Sequence, residues 1–195
     1  MKRKTPKKST LSSIRIIAGQ WRGRKLPVAV IDGLRPTGDR IRETLFNWLD
    51  ADIDGARCLD LFAGSGVLGL EALSRGARQV TALDSSRVAV NALVEATQLL
   101  NTSDLQVMQM DAIQWLKSNP AGPFDLVFID PPFQAGLLDE ALLLLAASNC
   151  LAAGALIYIE RDRNDDPPQL PTGWQVHKDK VAGSVSYGLD RKSVV

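Results

Sequence analysis

The sequence predicts an α/β fold. A seven-stranded, mostly parallel sheet is flanked by helices, preceded by a small β-hairpin and a helix, and closed by an antiparallel C-terminal hairpin. Three observations predict it. From residue 57 to residue 160, short apolar runs alternate with segments of helical period. Gly64, Gly66 and Gly69 form a G-x-G-x-x-G turn between the first of those runs and its helix. The run from Phe124 to Phe133, read FDLVFIDPPF, lacks the polar alternation of a half-exposed strand and so suits one buried on both faces. Pro131 and Pro132 cannot donate ladder hydrogen bonds and end that strand. Asp130 therefore falls at a strand's carboxyl end, where open α/β sheets bind ligands.

The first 13 residues are rich in Lys, Ser and Thr and almost free of apolar side chains, the composition of a disordered tail. Residues 14–50 read as a small basic unit. Short strands at 14–18 and 25–30 flank Gly19-Gln20-Trp21-Arg22-Gly23. A helix follows over 38–49, with Thr37 as its N-cap and Ile41, Leu45, Trp48 and Leu49 on one apolar stripe. Residues 51–195 carry the alternation. Strands are expected at 57–62, 79–84, 105–110, 124–130 and 155–160, and helices at 64–75, 86–100, 112–117 and 136–148. Gly76 and Asn101 stop two of these helices. A proline-rich surface loop, 161–172, leads to the closing hairpin, strands 174–180 and 185–189 around Gly183.

Composition excludes several classes. No apolar run approaches the ~20 residues that span a bilayer, and no apolar segment follows the basic N-terminus as in a secretory signal. Cys58 and Cys150 lack metal-ligand spacing, and His177, the only histidine, lies in an expected strand. No metal is expected, nor a Ser-His-Asp hydrolase, and a reducing cytoplasmic location is the default. The net charge of +1 conceals an asymmetry. Residues 1–50 hold 12 Lys and Arg against 4 Asp and Glu, whereas the remainder holds 11 against 18. A basic end on an acidic chain points to a polyanionic partner, most simply nucleic acid. The excess runs past the tail through Arg15, Arg22, Arg24, Lys25, Arg35, Arg40 and Arg42, which are the expected residues of a nucleic-acid-binding surface.

Acids stand at the ends of four successive expected strands: Asp60, Asp84, Asp111 and Asp130. The glycine turn lets the backbone approach a ligand, and Asp84, twenty residues after Gly64, can accept from both hydroxyls of a ribose. That much suits NAD and S-adenosylmethionine equally. Asp60 tilts the choice: its charge repels a pyrophosphate but can orient a cationic α-amino group through the loop or water. A sulfonium-and-ammonium ligand suits this acidic wall better than a dianion does. Asp111 is placed to accept from an adenine amine.

Residues 60–69, Asp84, Asp111 and Asp130-Pro131-Pro132-Phe133 resemble the Rossmann-like class I S-adenosylmethionine-dependent methyltransferases, the last four being the [D/N]-P-P-[F/Y/W] motif of the amino-methylating branch. Residues 15–24 (RIIAGQWRGR), 35–49 (RPTGDRIRETLFNWL) and 60–76 (DLFAGSGVLGLEALSRG) resemble more specifically the RsmD family of bacterial 16S rRNA guanine-N2 methyltransferases, along nearly the whole chain. The resemblance implies methylation of the exocyclic N2 of guanine-966 in the small ribosomal subunit. It implies a cofactor site of Asp60, Ala63, Gly64, Ser65, Gly66, Asp84, Ser85, Asp111 and Ala112. Asp130 and the Pro131 carbonyl would accept from the amine, with Pro132 fixing the turn and Phe133 stacking on the base. The expected partner is 16S rRNA, within an assembled or assembling subunit, and the expected state is a monomer. The alternatives are the same chemistry on another RNA or on adenine N6 of DNA, and an rRNA-binding assembly factor without turnover.

Overall fold

The computed structural model describes residues 12–28, 37–118, 120–132 and 136–193. Strands β1 (Ser12–Arg15) and β2 (Lys25–Val28) pair antiparallel as a hairpin, and α1 (Asp39–Trp48) follows. The alternating part comprises β3 (Arg57–Asp60), α2 (Val67–Ser74), β4 (Gln79–Asp84), α3 (Arg87–Leu100), β5 (Leu105–Gln109), α4 (Ala112–Lys117), β6 (Phe124–Ile129), α5 (Leu137–Ala147) and β7 (Leu151–Asp162). β8 (Trp174–Ala182) and β9 (Val185–Lys192) close it. Among the described residues the large sheet has seven strands in the order β5-β4-β3-β6-β7-β9-β8. β9 alone is reversed, running antiparallel to both β7 and β8. The expected α/β class, with its hairpin at each end, is the observed one.

The inner strands are apolar on both sides because both sides are covered. Cys58, Leu126, Phe128, Leu156 and Tyr158 enter one core with α1, α2 and α3. Their alternates Leu59, Val127, Ile129, Ile157 and Ile159 enter a second core with α4 and α5. Side chains still alternate along each strand, but no face meets water, and period-two patterning disappears.

The N-terminal hairpin is bonded into the first of these cores. Ile14, Ile16, Trp21, Leu26 and Val28 are buried together with residues of α2 and α3. Every residue of α2 is buried, including Glu71 and Ser74. The Glu71 carboxylate accepts from the backbone N–H of Ile17 at 2.9 Å and of Ala18 at 3.0 Å. The Ser74 hydroxyl accepts from Trp21 N at 3.0 Å and donates to the Ala18 carbonyl at 2.6 Å. Gly19 makes this approach possible: at φ +80°, an added Cβ would lie 1.7 Å from the Ser74 carbonyl oxygen.

Several boundaries differ from expectation for physical reasons. β1 begins at Ser12, two residues inside the expected tail, whose residues 1–11 lie outside the described ones. The helix expected from Gly64 begins at Val67, because Gly64 (φ 51°) and Gly66 (φ 71°) adopt left-handed conformations. β7 begins at Leu151, four residues early, since a register shift between Phe124 and Leu126 lets Leu151 pair with β6 as well as Leu156–Ile159. Thr37 does not cap α1. Gly38 occupies that position with no side-chain cap, and the Thr37 hydroxyl turns elsewhere.

Candidate active site

Strand order reverses between β3 and β6: β4 and β5 extend the sheet to one side, β7 to the other. The crevice beyond the carboxyl ends of β3 and β6 is the topological switch point at which open α/β sheets bind ligands. The glycine turn leaves β3 here. Gly66 is packed rather than open, for an added Cβ would sit 1.9 Å from Leu93 Cδ2, so its missing side chain seats α3 against the turn. Asp84, half-buried at the end of β4, accepts from Gly64 N at 2.7 Å through one oxygen and from Ser86 N at 2.7 Å through the other. A carboxylate offers about four lone-pair sites, so roughly two remain for a ligand's hydroxyls. Ser85 is exposed beside it, and Ala63, Gly64 and Ser65 form the rim of the turn. Asp111, exposed at the next strand end, caps α4 by accepting from Gln114 N at 2.9 Å through Oδ1. Ala112 behind it is buried.

Asp60 is buried at the end of β3, and burial pushes its carboxyl up to about 7. The negative Asp84 adds to the rise, while backbone N–H groups of Gly69 and Phe62 oppose it. The folded protein therefore holds a proton here, between the ordinary value of 3.8 and about 7, that the unfolded chain has lost. Stability from this group is greatest at low pH and falls as pH rises through 7, by up to about 4 kcal/mol. Asp60→Asn is predicted to raise the urea midpoint at pH 8 while leaving it almost unchanged near pH 4. Equal midpoint changes at both pH values would contradict it.

Asp130 follows β6 directly, on the same side of the sheet as α1. Burial raises its carboxyl well above the usual range, and the nearby charges of Glu160 and Asp60 raise it further, against a hydrogen bond from Thr37. Glu160, buried at the equivalent point of β7, accepts from the Tyr158 hydroxyl at 2.8 Å and from the Thr37 hydroxyl at 3.2 Å. Thr37 also lies 3.5 Å from Asp130 Oδ2. Pro131 is buried and Pro132 exposed, while Phe133 lies outside the described residues. Three carboxyls thus line the carboxyl ends of the adjacent strands β3, β6 and β7.

Sequence reasoning did not single out Glu160, Tyr158 or Glu71. The first two carried a signal: in the apolar run ALIYIE they are two apart and so share one face of a strand. Glu71 carried one as well, since a helix apolar all round is buried and any charge in it must be paired.

The basic residues divide. Arg15, Arg22, Arg24, Lys25 and Arg40 are exposed, and Arg35 lies outside the described residues. Arg42 must be withdrawn from the expected RNA contacts. Its side chain is 1% exposed, donating from Nη1 to the Arg15 carbonyl at 3.1 Å and to Glu71 at 3.3 Å, with Asp39 as its other partner. Arg24 donates to the Leu99 carbonyl at 3.2 Å, near the C-terminal end of α3, whose N-cap Ser86 adjoins Asp84. Fourteen residues of helix between them span about 21 Å, so the hairpin loop lies far from the switch point.

Sheet order and the turn after β3 make this a Rossmann-like class I methyltransferase fold. Over 186 residues the chain is 48% identical to ribosomal RNA small subunit methyltransferase D of Escherichia coli strain K12, covering 95% of this chain and 93% of that one. It belongs to the ribosomal RNA small subunit methyltransferase D family. The Haemophilus influenzae member is 49% identical over 179 residues, 90% of this chain and 92% of that one. The solved structure of yhhF from Escherichia coli superposes with a TM-score of 0.88 at 44% identity, covering 94% of this chain and 100% of that one. Residues 14–190 match the family described as conserved hypothetical protein 95.

Proposed function

We propose that this protein methylates ribosomal RNA of the small subunit, transferring the methyl group of S-adenosylmethionine to the exocyclic N2 of one guanine, guanine-966 of 16S rRNA. The observation that carries this reading is Asp130-Pro131-Pro132 at the switch-point end of β6, in a chain of this family. S-adenosylmethionine, when bound, supplies an electrophilic methyl group on a sulfonium. The residues present fit it: Asp84 keeps lone pairs for the ribose, Asp111 keeps an uncapped oxygen for the adenine amine, and Gly64, Ser65 and Gly66 offer a turn beside the acidic Asp60. Ala63, Ser85 and Ala112 complete that wall.

An aromatic amine is a poor nucleophile because its lone pair is delocalised into the ring. Asp130 and the Pro131 carbonyl accept from its N–H groups and draw the nitrogen towards tetrahedral geometry, returning the lone pair to the reacting direction. They also stabilise the positive charge that grows on nitrogen, an interaction stronger in the transition state than before it. Phe133 stacks on the unstacked base and offsets part of the cost of extruding it. Arg15, Arg22, Arg24, Lys25, Arg35 and Arg40 hold RNA backbone, which makes affinity fall steeply with salt. The protein acts in the cytoplasm as a monomer, on an RNA whose shape within the subunit selects the base.

Nucleoside mass spectrometry of 16S rRNA from a strain lacking the gene tests this. Loss of N2-methylguanosine at that position, restored by the gene, is the expected result. A fully methylated guanine there in the deletion strain, or a gain of N6-methyladenine with purified enzyme, would overturn it. Comparing protein-free 16S rRNA with isolated small-subunit particles as substrates separates RNA sequence from particle shape.

A further inference from the structure

We propose that Glu160 is a positioning residue: through the Thr37 hydroxyl it holds the proton that Asp130 must give up before it can accept from the base amine. The proposal rests on the function proposed above and is carried by geometry. Asp130 and Glu160 stand one residue beyond the paired Ile129 and Ile159 on neighbouring strands. A single hydroxyl lies between their side chains, 3.2 Å from Glu160 Oε2 and 3.5 Å from Asp130 Oδ2. Contacts of this kind are often long before substrate binds.

Thr37 has one hydroxyl proton and cannot donate to both carboxylates. With both ionised, one of them faces the lone pairs of Oγ1. With one proton added, every group is satisfied: Asp130 donates to Oγ1, and Thr37 donates to Glu160. Two like-charged carboxyls in a buried site favour this arrangement, and burial raises both groups above their usual range. Among the described residues, the groups facing the pair are Asp60 from β3 and Tyr158 from β7, with Tyr187 of β9 against Tyr158. None is a cation, so nothing in this set favours a doubly ionised pair.

The relay is a paired shift. The Asp130 proton passes to Oγ1 as the Thr37 proton passes to Glu160, leaving Asp130 ionised towards the amine and Glu160 neutral. In the transfer, the amine lone pair forms the new N–C bond and the electrons of the broken C–S bond stay on sulfur. The nitrogen, now cationic, gives its proton to Asp130. The pair then carries two protons, and one leaves to solvent with the product.

The test is single-turnover methyl transfer to small-subunit rRNA particles, with enzyme in excess and saturating S-adenosylmethionine, followed from pH 5 to 9. Wild type is expected to lose rate towards acid. Glu160→Gln keeps an acceptor for Thr37 but cannot take up the Asp130 proton, which must then leave to solvent, so this limb is expected to move up by a pH unit or more. A lower plateau with an unmoved limb would show a merely structural role and overturn the proposal. Thr37→Ser is expected to behave as wild type and Thr37→Val to lose tenfold or more; equal rates for the two would also overturn it. If wild type transfers no methyl group to the RNA, the proposed function itself fails. An active wild type with an unmoved limb removes only the role of Glu160.

Discussion

Asp130→Ala is predicted to lower single-turnover methyl transfer by a factor on the order of 10²–10³ or more, the usual effect of removing one group aimed at charge that develops in the transition state. RNA affinity, measured by filter binding, is expected to stay within about twofold of wild type, because the exposed arginines of the hairpin are untouched. The midpoint of unfolding is expected to hold or rise, since the variant deletes a carboxyl that burial and two neighbouring acids disfavour in its charged form. Asp130→Asn, which keeps one acceptor oxygen, is expected to fall between the two. Near-wild-type transfer by the alanine variant would remove Asp130 from the chemistry and favour an RNA-binding factor whose fold outlives its activity.

Glu71→Ala is predicted to cost about 3–5 kcal/mol of stability, the range found when one partner of a buried ion pair is removed. Glu71 is fully buried and receives Arg42, Arg75 and two backbone N–H groups of the hairpin. Among the described residues, Arg42 without it keeps only exposed Asp39 as a charged partner, and its Nε is already buried without one. Urea unfolding measures the loss. A double cycle with Arg42→Met is expected to recover part of it, because both charges then leave the interior together. A loss below about 1 kcal/mol would mean that solvent reaches this cluster in solution.

Much of the fold was legible because its signals are local. The glycine turn, the prolines after Ile129 and Asn101, which is left-handed (φ 51°) at the end of α3, each fix the chain where they stand. The strand-end positions of Asp60, Asp84 and Asp130 were legible because each closes or follows an apolar run. What stayed hidden depended on partners distant in sequence. Thr37 sits where an N-cap would, but its hydroxyl serves Glu160, 123 residues away. Arg42 reads as a surface arginine in a basic segment until Glu71 arrives from another helix. Charge composition counts Arg42 with the segment's exposed bases, since an ion pair leaves no trace in a count.

The docking of residues 12–28 on α2 and α3 also sets an order of events during synthesis. Trp21 waits for Ser74, 53 residues later in the chain, before its backbone N–H has its partner. At 5–20 residues per second that is a delay of roughly 3–10 s. Through that interval the growing chain carries an undocked segment with Ile14, Ile16, Trp21 and Leu26 uncovered among arginines. Chaperone demand during translation should therefore peak before α3 is complete, and a version of the gene with slow codons just upstream of residue 74 should yield less soluble protein than one with the same codons after residue 100.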